Sequence, residues 1–331
     1  MKAKATLKNI SSLLGISIST VSRALSDHPD ISATTKLKVR ELAEMLDYEP
    51  NSYAVYLRTN ASKVLGLIVE DISNNFYDSV ISAIEKETRK IGYSLLILQS
   101  SNDPEIEQSC IRLCKYNRAA GIFIALSSSG TDMAPFRKLE ENGTHIVFMD
   151  KVPDDEGFDK VAMNDVRAAV IAADALLEKK HETIFALFGD KEFSITRNRE
   201  KAFTEQVSKL SSGTKLLTGY AKDRISAREQ TRLALDSQER PDALFCMSDE
   251  ILAGAIKAVQ SSGLRIPEDI AIIGISNGYI PTLFSPEITY VETSGHALGI
   301  QAFESMMNHL NGLTNPISVE VPVRLVRAGS L

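Results

Sequence analysis

The chain has 331 residues, of which 44% are apolar and 24% charged, ordinary values for a globular protein and enough length for two or three units of about 100–200 residues each. No apolar run approaches the ~20 residues that span a bilayer, and no continuous apolar stretch follows Lys2, Lys4 and Lys8 as a leader would need, so the expectation is a cytoplasmic protein with no membrane partner. The net charge of −6 is uneven: residues 1–40 hold seven Lys and Arg against Asp27 and Asp30, a surplus of five, which leaves a deficit of eleven for the rest, and a basic head on an acidic body suits a head that meets a polyanion.

Three short helical patterns open the chain. Thr6 is a helix cap for a first helix from about Leu7 to Leu13, Gly15 supplies a tight turn, and Ser17 caps a second helix running to about Ser26. A polar loop, Asp27 to Asp30, leads to a third helix after Ser32 that reaches about Leu46, with Leu37, Leu42, Met45 and Leu46 near helical spacing. Leu7, Ile10, Leu14, Ile16, Val21, Leu25, Val39 and Leu42 can form one small core. Pro50 stops the chain, and residues 51–58 return to helical spacing through Ala54 and Leu57.

From Val64 the rhythm changes to short apolar strands alternating with amphipathic helices. Strands are expected at Val64–Val69, Ser94–Leu98, Gly121–Leu126, His145–Met149, Thr183–Phe188, Ala243–Cys246 and Ala271–Ile275. Helices are expected at about 77–91, 104–117, 134–142, 165–180, 197–210, 226–237, 249–262 and 296–311. Continuous apolar strands separated by helices imply parallel sheets covered on both faces, and this stretch is too long for one such sheet, so two lobes are expected.

Enzymatic chemistry finds no foothold: there is no phosphate-binding glycine loop, no dinucleotide fingerprint after the first strand and no Gly-x-Ser-x-Gly elbow. His28, His145, His181, His296 and His309 are scattered, and Cys110, Cys114 and Cys246 read as buried or half-buried free thiols, since the four-residue spacing of the first two has no further ligand nearby. The sequence therefore implies no catalytic residue, no metal and no cofactor. A solute-binding protein is the rival reading, but it gives residues 1–58 no role.

The stretch Gly15-Ile16-Ser17-Ile18-Ser19-Thr20-Val21-Ser22-Arg23-Ala24-Leu25, followed at family spacing by Tyr48, Pro50, Asn51, Ala54 and Leu57, resembles the recognition helix and hinge of the LacI family of bacterial transcription regulators. The likeness runs through essentially the whole chain. It implies an N-terminal all-α helix-turn-helix domain (1–49), a hinge helix and linker (50–62), and an α/β two-lobed effector domain (63–331) of doubly wound parallel sheets like those of periplasmic binding proteins. The first lobe would hold about 63–162 and 293–320, the second about 163–292 and 321–331. The resemblance further implies a homodimer on pseudo-palindromic double-stranded operator DNA, controlled by a small effector, most often a sugar.

In a helix-turn-helix the second helix lies in the major groove. Ile18, Ser19 and Ser22 are placed for base edges, and Arg23 can donate a bidentate pair to guanine. Thr20, Ser22 and Asn9 are short donors suited to phosphates, and Thr6 and Ser17 complete the expected DNA-binding set of the head. The resemblance makes Asn51, Ala54 and Leu57 hinge contacts, with Leu57 as the minor-groove wedge. Val55 stands where many relatives carry Arg, and Tyr53 and Tyr56 are bulkier than usual.

In open α/β sheets, ligands bind beyond the carboxyl ends of the strands. Applied strand by strand, this rule and the resemblance give an effector set of Asn75, Phe76, Tyr77, Asp150, Lys151, Phe193, Arg199, Ser248, Asp249, Ser276 and Asn277. Carboxylates, an arginine fork and aromatic faces suit a polyhydroxylated ligand. Arg199 aligns with the family's effector-binding arginine; Asp249 fits equally as a helix cap, and Asp150 as a structural pair. Ser276 replaces an aspartate that commonly holds the ligand, and with Lys151 and Arg199 nearby this suggests a negatively charged sugar or sugar acid.

Overall fold

The computed structural model describes residues 5–48, 62–128, 130–211 and 213–331, and the chain divides into two compact units, residues 1–62 and 63–331.

In the first unit, α1 (Leu7–Leu14), α2 (Ile18–Leu25) and α3 (Ala33–Met45) each begin at a hydroxyl cap: Thr6, Ser17 and Ser32 accept the backbone N–H three residues on. Gly15 ends α1 in the left-handed region at φ 66°, which a side chain would resist, and so lets α2 turn back against α1. Ile10, Val21, Ala24, Val39 and Ala43 are buried, and Leu7, Leu14, Ile16, Leu25 and Leu42 pack around them. Two apolar residues of the third helix do not join this core: Leu37 and Met45 are exposed, because the inward face of α3 is set by Val39, Leu42 and Ala43. Asn51, Ala54 and Leu57, expected as hinge contacts, lie outside the described residues.

The second unit holds two six-stranded sheets. The first lobe contains β1 (Val64–Val69), α4 (Asn75–Lys90), β2 (Ser94–Gln99), α5 (Pro104–Tyr116), β3 (Gly121–Ile124), α6 (Ala134–Glu141), β4 (His145–Met149) and β5 (Asp159–Met163). The chain then builds the second lobe from α7 (Asp165–Leu177), β6 (Thr183–Phe188), α8 (Ser194–Leu210), β7 (Lys215–Tyr220), α9 (Arg224–Leu235), β8 (Ala243–Cys246), α10 (Asp249–Ser261), β9 (Ala271–Ser276) and β10 (Thr289–Glu292). It returns to the first lobe for α11 (Gly295–Leu310) and β11 (Ser318–Val321), and ends in the second with β12 (Arg324–Val326).

The strand orders are β11-β5-β4-β3-β1-β2 and β12-β10-β9-β8-β6-β7, one topology used twice. They differ at the last strand. A helical crossover lays β11 parallel to β5, whereas β12 follows β11 directly and runs antiparallel to β10. The lobes are thus joined by three chain crossings, at residues 163–165, 292–295 and 321–324.

Both faces of each sheet are covered. In the first lobe Tyr77, Val80 and Ile84 of α4 and Leu298, Ala302 and Met306 of α11 cover one face, and Cys110, Ile111 and Cys114 of α5 with Phe136 and Leu139 of α6 cover the other. All three cysteines are free and buried. Helices α4 and α11 pack almost backbone to backbone. A Cβ on Gly295 would sit 2.4 Å from the Phe76 carbonyl oxygen, and one on Gly299 2.9 Å from that of Val80. The far end of α4 turns through Tyr93 into β2, where the Ser94 N–H donates to the Lys63 carbonyl at 2.8 Å.

Five strands are absent from the sequence reading: β5, β7, β10, β11 and β12. Strand β5 opens with Asp159 and Lys160, which are buried because each has a partner, His145 and Glu156. Strand β7 is a half-exposed edge.

Candidate DNA-binding face and effector cleft

Helix α2 is two-sided. Val21 and Ala24 face the core, and Ile18, Ser19 and Arg23 stand exposed, with Ser22 and Thr20 half-buried. The Ser17 hydroxyl accepts the Thr20 N–H at 3.1 Å and lies 2.7 Å from the Ser19 hydroxyl and 2.8 Å from that of Thr20. This fixes the first turn, where a recognition helix meets base edges. Thr6 and Asn9 bind each other in a capping box: Asn9 Oδ1 accepts the Thr6 N–H at 2.9 Å, and the Thr6 hydroxyl accepts the Asn9 N–H. Asp27 takes Arg40 at 2.8 Å and Lys36 at 3.2 Å, so two basic groups of the head are already paired.

A cavity of about 560 Å³ opens beyond the carboxyl ends of the strands in the second unit. Phe76, Tyr77, Asp150, Lys151, Phe193, Arg199, Ser248, Asp249, Ser276 and Asn277 line it. Asn75 does not; the neighbouring Asn74, which caps α4, lines it instead, and Asn75 offers its carbonyl to Asn277.

Asp150 is held in the left-handed region at φ 61°, directly after β4, and its Oδ2 accepts the Tyr77 hydroxyl at 2.7 Å. Burial raises the Asp150 pKa above its ordinary value. Burial also pushes the Tyr77 phenol well up, with the Asp150 charge adding to it, so Tyr77 stays a donor.

Arg199 is 4% exposed. Its Nε and Nη2 lie 2.8 and 2.6 Å from Asp165 Oδ1, and its Nη1 donates to the Met247 carbonyl at 2.6 Å. Burial drives the Asp165 pKa up to about 6 against the opposing pull of Arg199. Asp249 both opens α10 and ties down the loop after β9: it accepts the Ser276 hydroxyl and, at 3.1 Å, the Asn277 N–H. Burial raises its pKa too.

Lys151 bridges the cleft. Its Nζ is 2.5 Å from Glu70 Oε2 and 2.8 Å from Asn102 Oδ1 in its own lobe, and 4.2 Å from the ring centre of Phe193 in the other. Asn277 is a tie between lobes. Its Nδ2 donates to the Asn75 carbonyl (3.2 Å) and Ser79 hydroxyl (2.9 Å), and its Oδ1 accepts the Gly295 N–H (3.0 Å). The sequence suggested an acidic ligand because Ser276 replaces an aspartate with Lys151 and Arg199 nearby; in the structure both of these cations face carboxylates, Glu70 and Asp165.

Glu70, Asn102, Ser127, Lys222 and Thr293 also line the cleft and were not foreseen. Glu70 and Thr293 directly follow β1 and β10, so the rule of looking just past each strand finds the first at once and the second only when β10 is known. Ser127 is 4% exposed; Glu107 Oε2 accepts its N–H at 2.7 Å, while its hydroxyl has no hydrogen-bond partner.

Two of the scattered histidines meet at the opposite strand ends. The rings of His145 and His309 stack at 3.4 Å, and His145 Nε2 lies 3.1 Å from Asp159 Oδ2, which also accepts the Ser305 hydroxyl at 2.7 Å. With the rings only 9° from parallel, an ion in the plane of one ring lies outside the plane of the other. The group is arranged as a hydrogen-bonded ionic cluster.

A three-helix head with an exposed recognition helix, joined in one chain to two like α/β lobes around a polar cleft, defines a ligand-responsive DNA-binding protein. Residues 6–51 match the model of bacterial regulatory proteins of the lacI family, and residues 62–328 match that of periplasmic binding proteins and the sugar-binding domain of the LacI family. The chain belongs to the LacI family. It is 28% identical over 311 residues to the transcriptional repressor PurR of Aliivibrio fischeri, covering 92% of each chain. A lac repressor dimer bound to operator and the anti-inducer ONPF superimposes with a TM-score of 0.88 at 20% identity over 99% of both chains. The Cra regulator of Pseudomonas putida, in complex with fructose 1-phosphate, superimposes with a TM-score of 0.72 at 21% identity over 81% of this chain and 99% of that one. No helix among the described residues is long and apolar enough to cross a membrane.

Proposed function

We propose that the chain is a cytoplasmic, non-enzymatic homodimer that represses transcription from a pseudo-palindromic operator and responds to a carbohydrate in its cleft. The observation that carries the reading is the two-sided α2: its core face is fixed by Val21 and Ala24, and Ile18, Ser19 and Arg23 are left for a groove. One such helix reads few bases, and twofold duplication doubles the contacts. The lac repressor neighbour is a dimer on operator. The second unit also exposes apolar side chains suited to a second copy: Ile97 on β2, Ile106, Leu113 and Tyr116 on α5, and Ile225 and Leu233 on α9. The Cra neighbour was solved with a sugar phosphate, and a wall of carboxylates, hydroxyls and aromatic rings suits the sugar part of such a ligand.

The test is nuclease footprinting of genomic fragments together with sedimentation of the free protein. Protected sites with approximate twofold symmetry, an affinity that falls steeply with salt, and a dimeric mass are expected. Failure to protect any fragment, with or without added sugars, overturns the assignment; a monomeric mass on and off DNA overturns the dimer.

A further inference from the structure

Resting on the carbohydrate-effector reading, we propose that the cleft selects its effector by charge, accepting neutral or amine-bearing polyols and rejecting anionic ones. Among the described residues, all three basic side chains that line it already face a carboxylate: Lys151 has Glu70, Arg199 has Asp165, and Lys222 lies 3.3 Å from Asp190. Their charge is compensated before any ligand arrives.

The converse does not hold for the acids. Asp150 is bonded to the Tyr77 hydroxyl, and Asp249 to the Ser276 hydroxyl and the Asn277 N–H; no Lys or Arg forms an ion pair with either among the described residues. Glu192 and Glu250 line the cleft as well, from exposed positions. An anionic group therefore meets an excess of negative charge, in surroundings where burial leaves charge poorly screened.

A hydroxyl meets the reverse. Each carboxylate oxygen has more than one acceptor position, so Asp150 and Asp249 can still accept from ligand O–H or N–H groups. An ammonium group gains further from the carboxylate excess, as a charge-assisted donor.

The test is titration calorimetry of the full-length protein with matched sets on one ring: glucosamine, glucose, glucuronate and glucose 6-phosphate, with the corresponding galactose set. Within whichever set binds, the neutral and amine-bearing members are expected to bind at least tenfold more tightly than the anionic ones. The Asp249→Asn variant is expected to narrow that gap several-fold, and Glu250→Gln, an exposed change with little risk to folding, to narrow it less. Circular dichroism checks that both variants are folded. Tightest binding by an anionic member, or a gap that neither folded variant alters, overturns charge selection while the carbohydrate reading stands. Binding by no member of either set removes the carbohydrate reading and this inference with it.

Discussion

In the head, Ile18, Ser19 and Arg23 project into solvent from a helix held by its opposite face. In the cleft, Asp150 and Arg199 are 9% and 4% exposed and are bonded to other parts of the protein. The head can therefore change its contacts without changing its fold, because its packing and its recognition use different atoms. The cleft cannot, because the groups that would meet an effector are also the groups that satisfy one another's buried charges.

The sharpest way to break this contrast is Arg199→Ala. It leaves Asp165 buried without its cation, and a loss of about 3–5 kcal/mol of stability is expected, with effector response abolished. Urea unfolding at pH 7 measures it; an unchanged midpoint with lost response would make the arginine a free ligand-binding group.

Next in size is Asp159→Asn, which disrupts the cluster at the amino-terminal strand ends of the first sheet. Burial alone would lower the pKa of His145, but hydrogen bonds to Asp159 and Glu140 hold it above its ordinary 6.5. Burial alone would raise Asp159, but His145, the Ile317 N–H and Ser305 hold it below its ordinary 3.8. The His145 contribution is full below about 6.5 and fades as pH rises through its raised value, and that of Asp159 is full above about 3.8 and fades as pH falls through its lowered value. The wild-type advantage, about 1.5–3 kcal/mol for a hydrogen bond to a charged group, should therefore be largest between these limits. A stability difference that is flat from pH 4 to 9 would mean that the pair is not ionic.

In the head, Arg23→Ala is expected to lower operator affinity by about 1–3 kcal/mol and to relax base preference at one position, with the unfolding midpoint unchanged. Fluorescence anisotropy against systematically altered operators reads both effects, and normal discrimination would remove Arg23 from the base-reading set. Asp27→Asn should do least. Asparagine tolerates the left-handed backbone of this position (φ 56°), and the carboxylate it replaces is exposed, so thermal melting is expected to show no resolvable shift, and operator binding should tighten slightly as two cations lose their anion. A large destabilisation would show that the head, too, relies on linked charges.

The same contrast explains what could be read from the chain alone. Caps such as Thr6, Ser17 and Ser32 act on neighbours three residues away, so the head helices are legible. The strand-end rule together with the family resemblance placed ten of the eleven expected residues along the cleft, Arg199 chiefly through the resemblance, and Asn75 was off by one position. The charge state of the cleft was not legible, because the partner of Lys151 lies 81 residues away and that of Arg199 lies 34 away. Asp159 and Lys160 concealed β5 for a related reason: a charged pair looks like surface until its partners are known.

Helix α4 has one end at the cleft, where Phe76 and Tyr77 line the cavity, and the other beside Lys63, the first residue of the second unit. Its 16 residues make a rod of about 24 Å, stiffened along its near half by the glycine-mediated contact with α11. Because Gly295 and Gly299 leave no room between the two backbones, the aromatic end of this rod cannot shift at the cleft without moving α11 as well.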